Sequence, residues 1–289
     1  MSRRVLLLTL AVLCSGASVV AQKAGSGRSL PLGDGHVSDQ PALGSVYACS
    51  STRLDIGALQ TGPWIQGDRW WPGRKPVVGG TVRWPSARID LSTSGGRRKI
   101  TFNNLPNHPT GIFPVATSDD AFRYDRNPNA VRPQPQVLDL PAQPEMTVRS
   151  SCLWMGMIGV TLSGTALYSA LDAQGRDAPA HELQDACHGH PEVSGQYHFH
   201  DLGACAAAGP GGLIGYALDG FGIYRPDSDP AKQTALDACH GHLGEVVWDG
   251  HKVVMYHYHA TGDYPYTLGC FRGTPVRLPA ARPPPPPSP

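Results

Sequence analysis

Charge of either sign is scarce and balanced in this chain. Twenty-four Lys and Arg stand against twenty-three Asp and Glu, a net charge of +1. That balance excludes an electrostatic case for nucleic acid or an anionic membrane as partner. After the first twenty-one residues no apolar run is long enough to span a bilayer. No phosphate loop, dinucleotide fingerprint or Gly-x-Ser-x-Gly elbow appears in a fitting context. Long amphipathic helical patterns are missing too. Instead 34 Gly and 28 Pro punctuate the sequence, which points to a loop-rich, strand-rich domain.

The ends have their own character. Arg3 and Arg4 precede an apolar run, Val5 to Leu13, and small residues lead to Ala21. This reads as a secretory leader over residues 1–21, so the mature chain is expected to be exported, with no transmembrane anchor. Cys14 falls inside the leader. Residues 22–44 are Gly/Ser/Pro-rich and read as a flexible linker. Residues 45–278 are expected to form the domain. Residues 279–289 form a proline-rich tail of extended character, either a bare spacer or a wall-associated segment.

Six cysteines remain after the leader: Cys49, Cys152, Cys187, Cys205, Cys239 and Cys270. An even count in an exported chain argues for disulfides over thiolate metal ligation. The expected pairing is Cys187–Cys205, Cys239–Cys270 and Cys49–Cys152, because the first two repeat one logic in two copies of a longer unit.

That unit is an internal repeat. Ile158-Gly159 through Tyr168 aligns with Ile214-Gly215 through Tyr224, and residues of about 156–205 and 212–270 read as two pseudo-repeats. Ser163-Gly164 and Asp219-Gly220 are expected to be two-residue hairpin turns. Upstream, Thr81–Trp84, Lys99–Phe102 and Met146–Val148 are strand candidates. Leu171–Gln184 is the best helix or loop candidate, interrupted by Pro179. The fold class is therefore mainly β, a hairpin-rich, sandwich-like domain stapled by disulfides.

Each repeat ends in a histidine cassette. Asp185-Ala-Cys-His-Gly-His190 is followed by Tyr197-His-Phe-His200. Asp237-Ala-Cys-His-Gly-His242 is followed by Tyr256-His-Tyr-His259. Eight of the twelve histidines lie here. Asp249-Gly250 is a strong two-residue hairpin signal. Pairing outward from it sets His242 opposite His257 and His240 opposite His259. A three-residue loop, Val193 to Gly195, sets His190 opposite His198 and His188 opposite His200. Because strand side chains alternate, all four imidazoles of a cassette are expected on one face. Tyr197, Phe199, Tyr256 and Tyr258 then anchor the other face.

Opposed Cβ atoms lie about 4.5–5.5 Å apart, so two imidazoles and a neighbour can converge on one ion. An all-imidazole set suits zinc or copper and not calcium or magnesium. Asp185 and Asp237 are expected to orient bound imidazoles by accepting their far N–H; turn formation is the bland alternative for such residues. His36, His108 and His251 read as ordinary surface residues, while His181 is close enough in sequence to complete a site. Trp64, Trp70, Trp71 and Trp84 could stack on a wall or matrix polysaccharide, although buried Trp is the commoner case.

The segment Gly241-His242, Tyr256-His-Tyr-His259, Tyr264-Pro-Tyr266 and Cys270 resembles the YHYH domain family. So do Ala170-Leu-Asp172, Gly175-Arg-Asp177, Ala180-His-Glu182 and Gly215 to Phe221. The resemblance spans roughly residues 100–276. It implies an exported protein and no particular activity. Its motif positions fall on His190, His198, His200, His242, His257 and His259; His188 and His240 rest on the ladder alone. The functional expectation is transition-metal binding, with a non-catalytic role placed ahead of a copper- or zinc-dependent oxidase or hydrolase. A cell-wall or matrix adhesion module with structural histidines is the third reading.

Overall fold

The computed structural model describes residues 27–50, 53–54, 57–58, 60–203, 205–226 and 235–278. The expected leader and the proline-rich tail lie outside these residues. The expected linker is corrected over residues 27–44, which fold onto the domain. Leu30–Pro31 (β1) pairs with Arg69–Trp70 (β5), which also pairs with Ile65–Gln66 (β4); Val37–Ser38 (β2) pairs with Val46–Tyr47 (β3). The Gly33 N–H donates to Asp177 Oδ2 at 2.8 Å, and Asp34 Oδ2 lies 2.9 Å from His181 Nε2. These long-range polar contacts hold a segment whose composition alone suggested a spacer.

Three strands form the second layer: Ile89–Ser94 (β6), Arg97–Phe102 (β7) and Gln136–Pro141 (β8). The expected strand at Lys99–Phe102 lies within β7. Thr81–Trp84 is reduced to a single bridge, Val82 with Thr110. Met146–Val148 forms no strand; the Thr147 N–H instead donates to the Arg272 carbonyl at 2.7 Å.

The main sheet has eight strands. Chain order gives Met157–Thr161 (β9), Ala166–Tyr168 (β10), Gly189–Pro191 (β11), Tyr197–Phe199 (β12), Leu213–Ala217 (β13), Gly222–Tyr224 (β14), Gly241–Trp248 (β15) and His251–His259 (β16). Spatial order is β11-β12-β10-β9-β13-β14-β16-β15. Reading outward from the central β9–β13 pair gives the same pattern on both sides: an antiparallel partner, a parallel one, then an antiparallel edge. At the seam Val160 pairs with Tyr216, flanked by Gly159 with Ala217 and Thr161 with Gly215.

Turn chemistry explains the hairpins. Asp249 and Gly250 both have positive φ, 49° and 83°, and Trp248 pairs with His251 as expected for a two-residue turn. Gly195 is left-handed at 89°, closing the three-residue loop of the first cassette. The other two turns are corrected. The Thr161 N–H donates to Thr165 O and the Ala217 N–H to Phe221 O, so each loop has three residues, with Gly164 or Gly220 in the final left-handed position. The short helix α1 (Ala178–His181) begins after Asp177. Pro179 lies in its first turn, where no intrahelical N–H is required, so it starts the helix instead of interrupting it.

The core runs between the layers. Tyr197, Phe199, Tyr256 and Tyr258 are fully buried, as the alternation predicted. Trp64 and Trp70 are buried too and cannot stack on a sugar. Arg98 of β7 is buried between the rings of Tyr216 and Trp248. Its guanidinium makes two 2.9 Å bonds to Asp249, so the buried charge is paired and the β15–β16 turn is tied to the second layer. Disulfides close Cys49–Cys152, Cys187–Cys205 and Cys239–Cys270, the expected pairing. No helix among the described residues is long and apolar enough to cross a membrane.

Two histidine trios as candidate metal centres

The first trio is built on the β11–β12 hairpin. His190 pairs directly with His198, and His200 follows β12. All three are buried, and one nitrogen from each lies within 4.8 Å of the others. His198 Nε2 and His200 Nε2 are 3.1 Å apart. The His198 Nδ1 faces Gln196 O at 3.1 Å, and the His200 Nδ1 faces Ser169 O at 2.5 Å. A carbonyl only accepts, so both Nδ1 atoms carry a proton, and each ring when neutral presents its Nε2 lone pair to the centre. Tyr168 stacks on His198 at a centroid distance of 3.9 Å and fixes that ring's plane.

Sequence reasoning missed a carboxylate beside this trio. Glu182 follows α1, is buried, and sets Oε2 3.1 Å from His200 Nε2 and 3.4 Å from His190 Nε2. Neither that oxygen nor either ring nitrogen of His190 makes a hydrogen bond among the described residues. Burial, followed by the neighbouring rings, holds His190 and His198 well below the usual histidine range. At His200 burial pushes down, yet the Glu182 carboxylate outweighs it and the net shift is upward. Burial raises Glu182 in turn.

The second trio sits on β15 and β16. His242 pairs with His257, and His259 ends β16. Their ligand atoms also lie within 4.8 Å of one another, with 2.9 Å between His242 Nε2 and His259 Nε2. The His257 Nδ1 faces Met255 O at 3.2 Å, which turns its Nε2 inward. Burial and the adjoining rings bring His257 and His259 down to about 4. All three rings line a cleft of about 600 Å³.

Metal–imidazole bonds of about 2.0–2.1 Å at tetrahedral angles set ligand nitrogens about 3.3 Å apart. The close pairs, 3.1 and 2.9 Å, are already near that spacing.

His188 and His240 do not join the trios, a correction to the four-ring faces. Both have positive φ, 69° and 71°, which turns their side chains off the ladder. The cause is a tight loop repeated in both cassettes. Asp185 Oδ1 accepts from the N–H groups of Cys187 and Gly189, and Asp237 Oδ1 from those of Cys239 and Gly241. His188 Nδ1 instead meets Asp201 Oδ2 at 2.8 Å, and His240 Nε2 meets Thr261 Oγ1 at 2.8 Å. The same loops correct the role of Asp185 and Asp237. They hold backbone and the hydroxyls of Tyr197 and Tyr256 rather than an imidazole of either trio. His181 turns away to Asp34. His36 and His251 are exposed. His108 comes near Cys187 and Cys205, whose sulfurs are committed to their disulfide.

Comparison with curated proteins and with solved structures gives no significant match. One family model does match, described as YHYH protein, over residues 137–234. That span is narrower than the motifs suggested. It holds the first trio with Glu182 and the hairpin opening the second repeat, and it stops short of Asp237. Over residues 137–234 this chain therefore matches the YHYH protein family, the family that its cassettes resemble.

Proposed function

We propose that each histidine trio holds one transition-metal ion, copper(II) or zinc, and that the protein is an exported metal-binding protein. The observation that carries this reading is the close approach of the Nε2 atoms of His198 and His200. Two Nε2 atoms 3.1 Å apart inside a buried site, each on a ring whose Nδ1 already carries a proton, repel unless a cation lies between them. The unsatisfied nitrogens of His190 and the Glu182 oxygen supply further donors around the same point. The carbonyl partners of His198, His200 and His257 fix tautomer and ring orientation, as metal-bound imidazoles require. The imidazole-dominated donor set favours copper or zinc over hard cations. Three disulfides suit an oxidising compartment.

A proton is the competing cation at the first trio, favoured by the upward shift of His200 beside Glu182. Metal content separates the two. Protein made without a histidine tag and equilibrated with zinc or copper is expected to retain two ions per chain. His198→Gln with His200→Gln removes one, and His257→Gln with His259→Gln removes the other. Circular dichroism checks that each variant folds. Fewer than about 0.3 ion per chain in folded wild-type protein overturns the reading.

A further inference from the structure

We infer that the second trio has an open coordination position, facing its cleft, that takes a small anionic donor, such as a carboxylate, while the first trio is closed to outside ligands. This rests on the metal-binding reading above and distinguishes its two sites.

Three observations separate the sites. The first is access. His190, His198 and His200 are 3–4 % exposed. At the second trio His257 is buried, but His242 and His259 are partly exposed, and all three rings line the cleft of about 600 Å³. That volume lies within the range of small-ligand sites. The second is a neighbouring carboxylate. Glu182 brings a carboxylate to two rings of the first trio. The repeat aligns Glu182-Leu-Gln-Asp185 with Thr234-Ala-Leu-Asp237, so the second copy has threonine where the first has its carboxylate. Among the described residues the second trio offers three imidazoles, which leave a four-coordinate ion one place short, the arrangement of sites that bind an exchangeable fourth ligand.

The third is charge. A divalent ion on three neutral imidazoles keeps its full +2, whereas at the first trio the Glu182 carboxylate beside two of the rings offsets part of it. Arg225 lines the same cleft and adds positive charge. Among the described residues two carboxylates line it as well. Glu245 is paired with Lys252 at 2.8 Å on the exposed rim, and Asp263 lies beside Thr261. Neither belongs to the trio's ligand cluster, nor does Glu182 to the first, but Glu182 lies 3.1 and 3.4 Å from two rings of its trio. An anion that binds the ion directly is thus the donor best matched to the vacant position.

The test uses the full chain loaded with copper(II). Azide is titrated while its charge-transfer band and the copper electron-resonance spectrum are recorded. Saturation at one azide per chain is expected, with the spectrum of only one of two coppers changing. Acetate should displace the azide. The His198→Gln/His200→Gln variant should keep the response, and the His257→Gln/His259→Gln variant should lose it. His242→Gln, at a partly exposed ring, should weaken azide binding at least tenfold while the first site keeps its copper. Two coppers with no azide response, two azides per chain, or a response that follows the first trio would each overturn the inference and leave metal binding standing. Absence of bound copper would overturn both.

Discussion

Glu182 Oε2 lies 3.1 Å from His200 Nε2 with no hydrogen bond to satisfy it among the described residues. A buried carboxylate in that position costs free energy unless a cation shares it. If the cation is a metal ion, Glu182→Gln should weaken the first site by about 10–100-fold, the usual effect of losing a supporting carboxylate. Affinity at the second trio should be unchanged. Competition with a chelator of known affinity reads both. Equal weakening at the two sites, or none, would contradict the placement of Glu182.

Acid should act weakly on the second trio. Metal binding needs neutral imidazole, so protons compete only below each ring's own titration point. His257 and His259 are brought down to about 4, and they stay neutral from pH 7 to about 5. At most one proton per ion should therefore be displaced over that interval. Three ordinary imidazoles, titrating near 6.5, would release up to three. Measured in the His198→Gln/His200→Gln background, zinc affinity should fall steeply only as pH drops through about 4. A loss of more than a hundredfold between pH 7 and 5 would show that the rings are not shielded as described.

Asp177 gives a pH effect on stability. Burial raises its carboxyl to about 6, despite bonds from the Gly33 N–H and the Tyr266 hydroxyl. Between about pH 4 and 6 the folded state then holds a proton that the unfolded chain has lost. Stability contributed by this group is full below about 4 and falls as pH rises towards 6. The size is on the order of 1–3 kcal/mol. Asp177→Asn cannot titrate, so wild type minus variant should lose stability across that window in urea unfolding at pH 4, 5 and 6. A difference independent of pH would refute the assignment.

Much of the site was legible because it is local. Asp249-Gly250 can take two left-handed conformations in succession, and that fixes His242 opposite His257. Gly195 does the same for His190 and His198. The ladder failed two residues further out, beyond Gly189 and Gly241. Counting in twos assumes extended backbone, and the Asp185 and Asp237 carboxylates fold their segments into tight loops that reverse His188 and His240. Glu182 was hidden by a non-local cause. The chain bends out of α1 after His181, so adjacent side chains diverge, His181 to Asp34 on the N-terminal segment and Glu182 to the trio. Periodicity has no means of seeing a partner nearly 150 residues away.

The seam of the main sheet offers a sharp test of packing. Gly159 and Gly215 align in sequence and lie on the two central strands. A Cβ at Gly215 would come 2.2 Å from Val160 O and 2.8 Å from Thr161 Cα. At Gly159 it would come 2.7 Å from Tyr216 O. Those neighbours are backbone held by sheet hydrogen bonds, so neither can yield without opening the β9–β13 pair. Gly215→Ala is expected to cost about 1–3 kcal/mol, the range for overpacking a filled interior. That corresponds to a drop in melting temperature of several degrees, at about 2–4 °C per kcal/mol for a domain of this size. Gly159→Ala should do less, its nearest contact being longer. Gly262→Ala is the control, because an added Cβ there meets nothing within 4 Å. Calorimetry on the three variants should rank them Gly215, Gly159, Gly262. A Gly215→Ala protein as stable as the Gly262→Ala control would mean that the two central strands are not in the register described.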